Sequence, residues 1–279
     1  MQPEIVASTP QITMRHLGRT KNGHPAALKR PRLIAIASGK GGVGKTWLSL
    51  TIAHALSGRR RRVLVVDADF GLANADIQLG HLPGVDLGAV LRQEIPLRDC
   101  IFPIEAGGFD LIAGQSGSGA FADTTPNAIN LLLERLIDSA GEYDLILFDL
   151  GTGVERTMRH LSALADTVIL VITEDPASLT DAYAVLKLLK HDRTAFGLPV
   201  DARIVVNQTN SETSAKRAHA ALAKAARGFL RLDPPLLGTI ERDQSVNEAI
   251  RGQKLLLAQF PQSAAADSVR AIARRLIAR

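Results

Sequence analysis

The chain has 279 residues, 46% of them apolar, enough to bury one substantial core. Its single cysteine, Cys100, excludes an internal disulfide and any iron–sulfur or zinc centre built from the thiolates of one subunit, and the seven histidines show no zinc spacing. No run of roughly 18 or more apolar residues could span a bilayer and none follows Met1, so neither a membrane helix nor a secretory signal is expected, while a net charge of +5 raises the question of an acidic partner.

Residues 1–31 are polar, basic and rich in Pro, Gly and Thr, which predicts a flexible arm ahead of one domain over residues 32–279. The first element of that domain is an apolar strand, Leu33-Ile34-Ala35-Ile36-Ala37, and a helical pattern follows over residues 46–56. Between them lies Ser38-Gly39-Lys40-Gly41-Gly42-Val43-Gly44-Lys45-Thr46, where Gly39, Gly44, Lys45 and Thr46 fit G-x-x-x-x-G-K-S/T in the required strand, loop and helix setting. Glycines let successive backbone N–H groups converge on phosphate oxygens, and the following helix adds the positive end of its dipole. Lys45 would bridge the β- and γ-phosphates, and the Thr46 hydroxyl would take one position on Mg2+, which prefers oxygen ligands. A basic run, Arg59 to Arg62, closes the helix; it reads either as a solvated end that complements the dipole or as a nucleic-acid or phospholipid contact.

Arg62-Val63-Leu64-Val65-Val66-Asp67 predicts a second strand ending in a carboxylate, with Asp69 two residues on. Asp144-Leu145-Ile146-Leu147-Phe148-Asp149 repeats the pattern, and Asp149 would contact magnesium through a water unless it only caps a helix. In open α/β folds ligands bind beyond the carboxyl ends of the strands, so these acids should emerge beside the phosphate loop. Residues 173–187 read as a strand end, Pro176 at a helix start, and a helix with Leu179, Ala182, Val185, Leu186 and Leu189 inward. Ala202-Arg203-Ile204-Val205-Val206-Asn207 is a further strand whose terminal asparagine is locally a turn residue. The last segment, residues 263–279, sets Val269, Ile272 and Leu276 at helical spacing with arginines elsewhere, a helix that either packs on the core or lies on an anionic membrane. Strands alternating with helices throughout predict a doubly wound, mostly parallel α/β sheet with helices on both faces.

Lys40-Gly41-Gly42-Val43-Gly44-Lys45-Thr46 resembles the deviant Walker A sequence of the MinD/ParA family of P-loop ATPases. That resemblance implies ATP or ADP with Mg2+ as ligands, and a homodimer closed on ATP in which Lys40 reaches the partner's nucleotide. It further implies that Asp69 orients the attacking water, that Asp67 shares in the magnesium shell with Thr46 and Asp149, and that Leu150-Gly151-Thr152-Gly153-Val154-Glu155 is a second switch. Asn207 would read the adenine edge, and Gly238-Thr239-Ile240-Glu241-Arg242-Asp243 would close over base and ribose. Thr173-Glu174-Asp175-Pro176-Ala177-Ser178-Leu179-Thr180-Asp181-Ala182-Tyr183 is similar to the P-E-P-x-S-x-T-D-A-Y pattern of the FlhG/FleN branch, which regulates flagellar number, and the similarity extends over residues 32–278.

The branch implies a slow, partner-stimulated ATPase that is cytoplasmic or peripheral at the inner membrane or cell pole. Its partners would be an FlhF-like GTPase, flagellar switch components or a flagellar transcription regulator. A ParA-like DNA or cargo partitioning ATPase acting on nonspecific DNA, a MinD-like division-site regulator and a non-hydrolysing nucleotide-binding scaffold are the other readings. Four departures bear on the transfer. Trp47 stands where the family has a small hydroxyl residue on the α-phosphate, the usual D-x-x-A-G of the second switch appears as Asp149-Leu150-Gly151-Thr152-Gly153, Thr173 replaces the first proline of P-E-P, and residues 1–31 lack the D-Q-A-x-x-L-R activator, with Gln11-Ile12-Thr13-Met14-Arg15 at best a remnant.

Overall fold

The computed structural model of the protein describes residues 30–69, 73–81, 84–85, 87–92, 94–114, 126–138 and 142–278. The expected arm up to residue 29, and Phe70, Gly71 and Leu72 of the segment after Asp69, lie outside the described residues. The strands are β1 Arg32–Ser38, β2 Val63–Ala68, β3 Phe102–Ile104, β4 Phe109–Ile112, β5 Leu145–Thr152, β6 Thr167–Ile172, β7 Ala202–Thr209 and β8 Leu236–Glu241. They form one sheet in the order β3-β4-β2-β5-β1-β6-β7-β8, parallel throughout except where β3 runs antiparallel to β4. The helices are α1 Lys45–Ser57, α2 Ala75–Leu79, α3 Leu87–Leu91, α4 Pro126–Asp138, α5 Arg156–Leu164, α6 Pro176–Ala195, α7 Glu212–Ala225, α8 Gln244–Arg251, α9 Leu256–Gln259 and α10 Ala264–Ile277.

The central strands read as unbroken apolar runs because both faces of the sheet are covered. Along β1, Leu33, Ala35 and Ala37 join the core shared with Leu132, Leu161, Leu186 and Leu222 of α4 to α7. Ile34 and Ile36 face the other way, into a core with Leu48, Ile52 and Leu56 of α1 and Val269 and Ile272 of α10. The doubly wound, mostly parallel architecture expected from the sequence is what forms.

Of the two readings open for the last helix, the structure takes core packing. Val269, Ile272 and Leu276 are buried, Arg275 of α10 donates to the Leu237 carbonyl of β8, and Arg32 of β1 donates to the Leu276 carbonyl of α10. Helix α6 starts as expected, with Pro176 in its first turn and Asp175 accepting from the Ala177 N–H as N-cap. Arg30 is already part of the fold, since its guanidinium pairs with Asp166 at 2.6 Å. Among the described residues no helix is long and apolar enough to cross a membrane.

Two strands run past the carboxylate or amide at which the sequence pattern would end them. Strand β5 continues through Leu150 and Gly151 to Thr152, because after a one-residue register shift beyond Ile36 and Asp149 Thr152 pairs with Ser38, and the Gly153 N–H donates to the Ser38 carbonyl at 3.1 Å. Strand β7 continues to Thr209 through Gln208, whose φ of +56° marks an irregularity in its pairing with β8. Both extensions lie where chains converge on one end of the sheet.

Candidate nucleotide site

Strands β2, β5 and β1 are neighbours, so their carboxyl ends deliver their polar residues to one place. Asp67 and Asp149 are directly paired across β2 and β5, and the loop leaving β1 at Ser38 returns as α1 beside them. In that loop Gly44 has φ +90°, a backbone state that side chains resist, immediately before the helix. A Cβ there would lie 2.6 Å from the Asn207 amide nitrogen. Gly39 serves a different end: a Cβ on it would overlap the Asp181 backbone, so glycine lets the loop close against α6.

Lys45 is 7% exposed, and Asp67 and Asp149 are each 1% exposed. Burial pulls the Lys45 ammonium below its ordinary range, opposed by the charges of Asp149, Asp69 and Asp67. Burial pushes both the Asp149 and the Asp67 carboxyls up, and for Asp67 the neighbouring Asp149 charge adds to the effect. One ammonium among three carboxylates leaves a site that is short of positive charge.

Asp149 Oδ1 accepts from Ser49 at 3.0 Å and the Thr46 hydroxyl lies beside this carboxylate, while Oδ2 is buried without a hydrogen-bond partner among the described residues. The orphaned oxygen beside a threonine hydroxyl is a donor set that suits magnesium, which in phosphate sites takes one or two protein oxygens and keeps its waters. The described residues hold no cluster of three or more His, Cys, Asp or Glu side chains of the kind that cages a metal alone. Asp67 is differently engaged. Its oxygens accept the backbone N–H groups of Asp69, Asn74 and Ala75 at 3.0–3.1 Å, so it ties the segment after β2 to the sheet. Asp69 reaches Gly151 of β5, where a Cβ would lie 3.2 Å from its Oδ1; the segment after β2 and the end of β5 therefore meet at this carboxylate.

Lys40 forms an ion pair with Asp175, the N-cap of α6, with 40% and 45% of the two side chains exposed. Beside Asp175, Glu174 accepts from the Asn210 N–H and side-chain amide at 3.1 and 2.9 Å and from the Ser214 hydroxyl at 2.5 Å, fastening the start of α7. The acid pair in the Thr173-Glu174-Asp175-Pro176 stretch thus has a structural cause: one acid holds a neighbouring loop and the other holds the loop lysine.

A cleft of about 340 Å³ opens beside Gly44, between Trp47, Asn207 and Gln208 on one side and Glu241, Arg242 and Asp243 on the other. The Asn207 amide donates to the Val43 carbonyl at 2.7 Å and the Gln208 amide to the Gly42 carbonyl at 2.9 Å, so the end of β7 straps the phosphate loop. Asp243 caps α8 through the Ser245 N–H and holds the Ala265 N–H of α10, which fixes the cleft wall. Trp47 is 6% exposed, and its indole N–H has no partner among the described residues. Gln208, Glu174 and Asp175 were not singled out as site residues from the sequence. Only the polar pair Asn207-Gln208 at a strand end and the acids before Pro176 could have signalled them.

Residues 34–256 match the CobQ/CobB/MinD/ParA nucleotide binding domain. The chain is 33% identical over 247 residues to antiactivator FleN of Pseudomonas aeruginosa, spanning 88% of this chain and 86% of that protein. It is 31% identical over 259 residues to flagellum site-determining protein YlxH of Helicobacter pylori, spanning 89% and 82%. Among solved structures, the septum site-determining protein MinD of Pyrococcus horikoshii, complexed with Mg-ADP, superposes with a TM-score of 0.73 at 25% identity, covering 88% of this chain and 96% of that one.

Proposed function

The chain belongs to the CobQ/CobB/MinD/ParA nucleotide-binding family, and from that premise we propose an ATP-dependent, dimerising switch ATPase that controls the number or placement of flagella through partner proteins. ATP or ADP with Mg2+ is its ligand. The observation that carries the site is the buried, unpartnered Asp149 Oδ2 beside Thr46 and Lys45 at the foot of the glycine loop. The flagellar assignment is supported by the two flagellar relatives, each matched over most of both chains.

In this reading the loop N–H groups and Lys45 take the phosphate oxygens, and Thr46 and Asp149 hold Mg2+, with Asp67 behind them. When bound, the metal neutralises charge on the phosphates. Asp69 orients a water toward the γ-phosphorus, so that ADP and phosphate are formed. Asn207, Glu241, Arg242 and Asp243 line the place for base and ribose, and Trp47 supplies an apolar wall. Loss of the γ-phosphate is read by the two segments that meet at Asp69 and Gly151. Lys40 leaves Asp175 for the nucleotide of a second copy, which makes dimerisation conditional on ATP. The partners are an FlhF-like GTPase, a flagellar switch component or a flagellar transcription regulator, which stimulate a slow turnover in the cytoplasm or at the inner face of the membrane or pole.

Size-exclusion chromatography with Mg-ATP tests the switch directly. The expected result is a stable dimer for Asp69→Ala, which binds but does not hydrolyse, and a monomer with bound ATP for Lys40→Ala. A fully dimeric Lys40→Ala protein would remove the cross-subunit role of this lysine. ATP-dependent, salt-sensitive retention on nonspecific DNA would move the reading to a ParA-like partitioning ATPase.

A further inference from the structure

Helix α1 carries the phosphate loop at its first turn, and its last turn, roughly 20 Å away, opens onto a separate cleft. This cleft has a volume of about 620 Å³ and is lined by His54, Arg59, Arg60, Leu257 and Arg270, with small residues of α1 between them. It lies at the amino end of β2, whereas the nucleotide site lies at the carboxyl ends of the strands.

Its charge is one-sided. Three guanidinium groups border it and no acid lines it. Among the described residues Arg59 and Arg60 have neither an ion pair nor a side-chain hydrogen bond, whereas their neighbour Arg61 pairs with Asp144. Arg270 donates through one nitrogen, Nη1, to the Pro261 carbonyl at 2.5 Å and to Asp267 at 3.1 Å, which leaves its other nitrogens for a ligand. His54 Nδ1 is buried at the same wall without a partner among the described residues.

Arg60 is the most telling residue. Its φ of +60° puts it in the left-handed state, which glycine would adopt without steric cost, and the turn is held by the Arg60 and Arg61 N–H groups bonding back to Ser57 and Leu56. A glycine there would hold the same turn, so the Arg60 side chain can be removed without disturbing the backbone. The first 29 residues of the chain contain a single acid, Glu4, so the chain's own amino-terminal segment is a poor counter-ion.

We propose that this cleft is a second anion site, which takes a compact phosphate-bearing ligand on Arg59, Arg60 and Arg270. Guanidinium groups pair with phosphate oxygens two at a time, and three of them around one hollow match a single clustered anion. A duplex would instead call for cations spaced along an extended face. The ligand is a free oligophosphate or the headgroup of an anionic lipid, which present the same chemistry.

Equilibrium dialysis of labelled pyrophosphate against the full chain, with its nucleotide site filled by saturating Mg-ADP, tests the site. The unmodified protein takes up pyrophosphate, and an Arg59→Ser, Arg60→Gly double variant binds it about tenfold more weakly or less, with Mg-ADP affinity unchanged. Glycine suits the left-handed position, so the variant keeps its fold. Arg217→Ser, on exposed α7, leaves pyrophosphate uptake as it was. Sedimentation with phosphatidylglycerol and phosphatidylcholine vesicles then names the source: retention on phosphatidylglycerol that the double variant loses makes it a headgroup, and no retention makes it a free phosphate. No uptake above the ADP-filled baseline, or equal uptake by the double variant, overturns the site. So does loss of duplex DNA binding in the double variant with pyrophosphate uptake unaltered.

Discussion

The glycine loop and the cleft between Trp47, Asn207 and Asp243 touch at Gly44, yet they are built in opposite ways. The cradle is contiguous: its glycines, Lys45 and Thr46 follow one another in a single strand, loop and helix. The cleft beside it, proposed to take the base, is convergent, with Trp47 from α1, Asn207 and Gln208 from the end of β7, and Glu241 to Asp243 from the end of β8. Asn207 and the Val43 carbonyl that it holds are 164 residues apart in sequence. Backbone chemistry that repeats locally is written in residue order, whereas a cleft made by distant strand ends exists only once the sheet has ordered them. The two regions should therefore answer differently to substitution.

Removing Lys45 should have the largest effect. Its ammonium is the buried cation set against Asp149, Asp69 and Asp67, so Lys45→Ala leaves three acids facing the phosphates. A loss of about 100-fold or more in ATP and ADP affinity is expected by calorimetry, with adenosine binding little changed. Equal loss for adenosine would mean that the lysine supports the whole pocket rather than the phosphates.

Gly44→Ala should come next, and it probes the seam. The substitution forces a side chain into φ +90° and drives its Cβ against the Asn207 amide. Backbone strain of about 1–2 kcal/mol in addition to that contact predicts a loss of about 10- to 100-fold that includes adenosine. A loss confined to the phosphates would separate the two regions again. Asn207→Ala is milder, since it removes one neutral strap at 2.7 Å. About tenfold weaker ATP binding is expected, together with reduced discrimination of ATP over GTP. If discrimination is unchanged while affinity falls, Asn207 acts on the loop alone and the base is read elsewhere, with the neighbouring Gln208 the first place to look.

The comparison also explains what could be read in advance. The fold followed from alternating apolar strands and amphipathic helices, because both faces of the sheet are covered and the pattern is strong. Lys45, Thr46 and Asp149 were legible because their motif is local and its setting is fixed. Asn207 and the segment from Gly238 were reached only through family resemblance, and their neighbour Gln208 was not reached. Nothing in its local sequence says that residue 208 takes a positive φ and bonds the loop 166 residues earlier. Asp67 was read as a strand-end acid, but its three bonds to Asp69, Asn74 and Ala75 depend on how the chain turns after β2. Trp47 is a departure at the level of sequence and a buried wall at the level of structure, which is a packing fact no motif encodes.

The smallest effect should have the opposite sign. Lys40 belongs to the contiguous cradle, but the partner that holds it, Asp175, comes from the far end of β6. If this lysine must leave Asp175 to reach a second nucleotide, the ion pair competes with dimerisation. Asp175→Asn keeps a good N-cap for α6 while removing the charge. Exposed pairs contribute little, so the gain should be about two- to fivefold in ATP-dependent dimerisation, read by analytical ultracentrifugation at low salt and shrinking as salt is raised. Unchanged or weaker association would show that Lys40 is not held back by this acid. The conditional step would then lie in the switch segments at Asp69 and Gly151 rather than in the lysine.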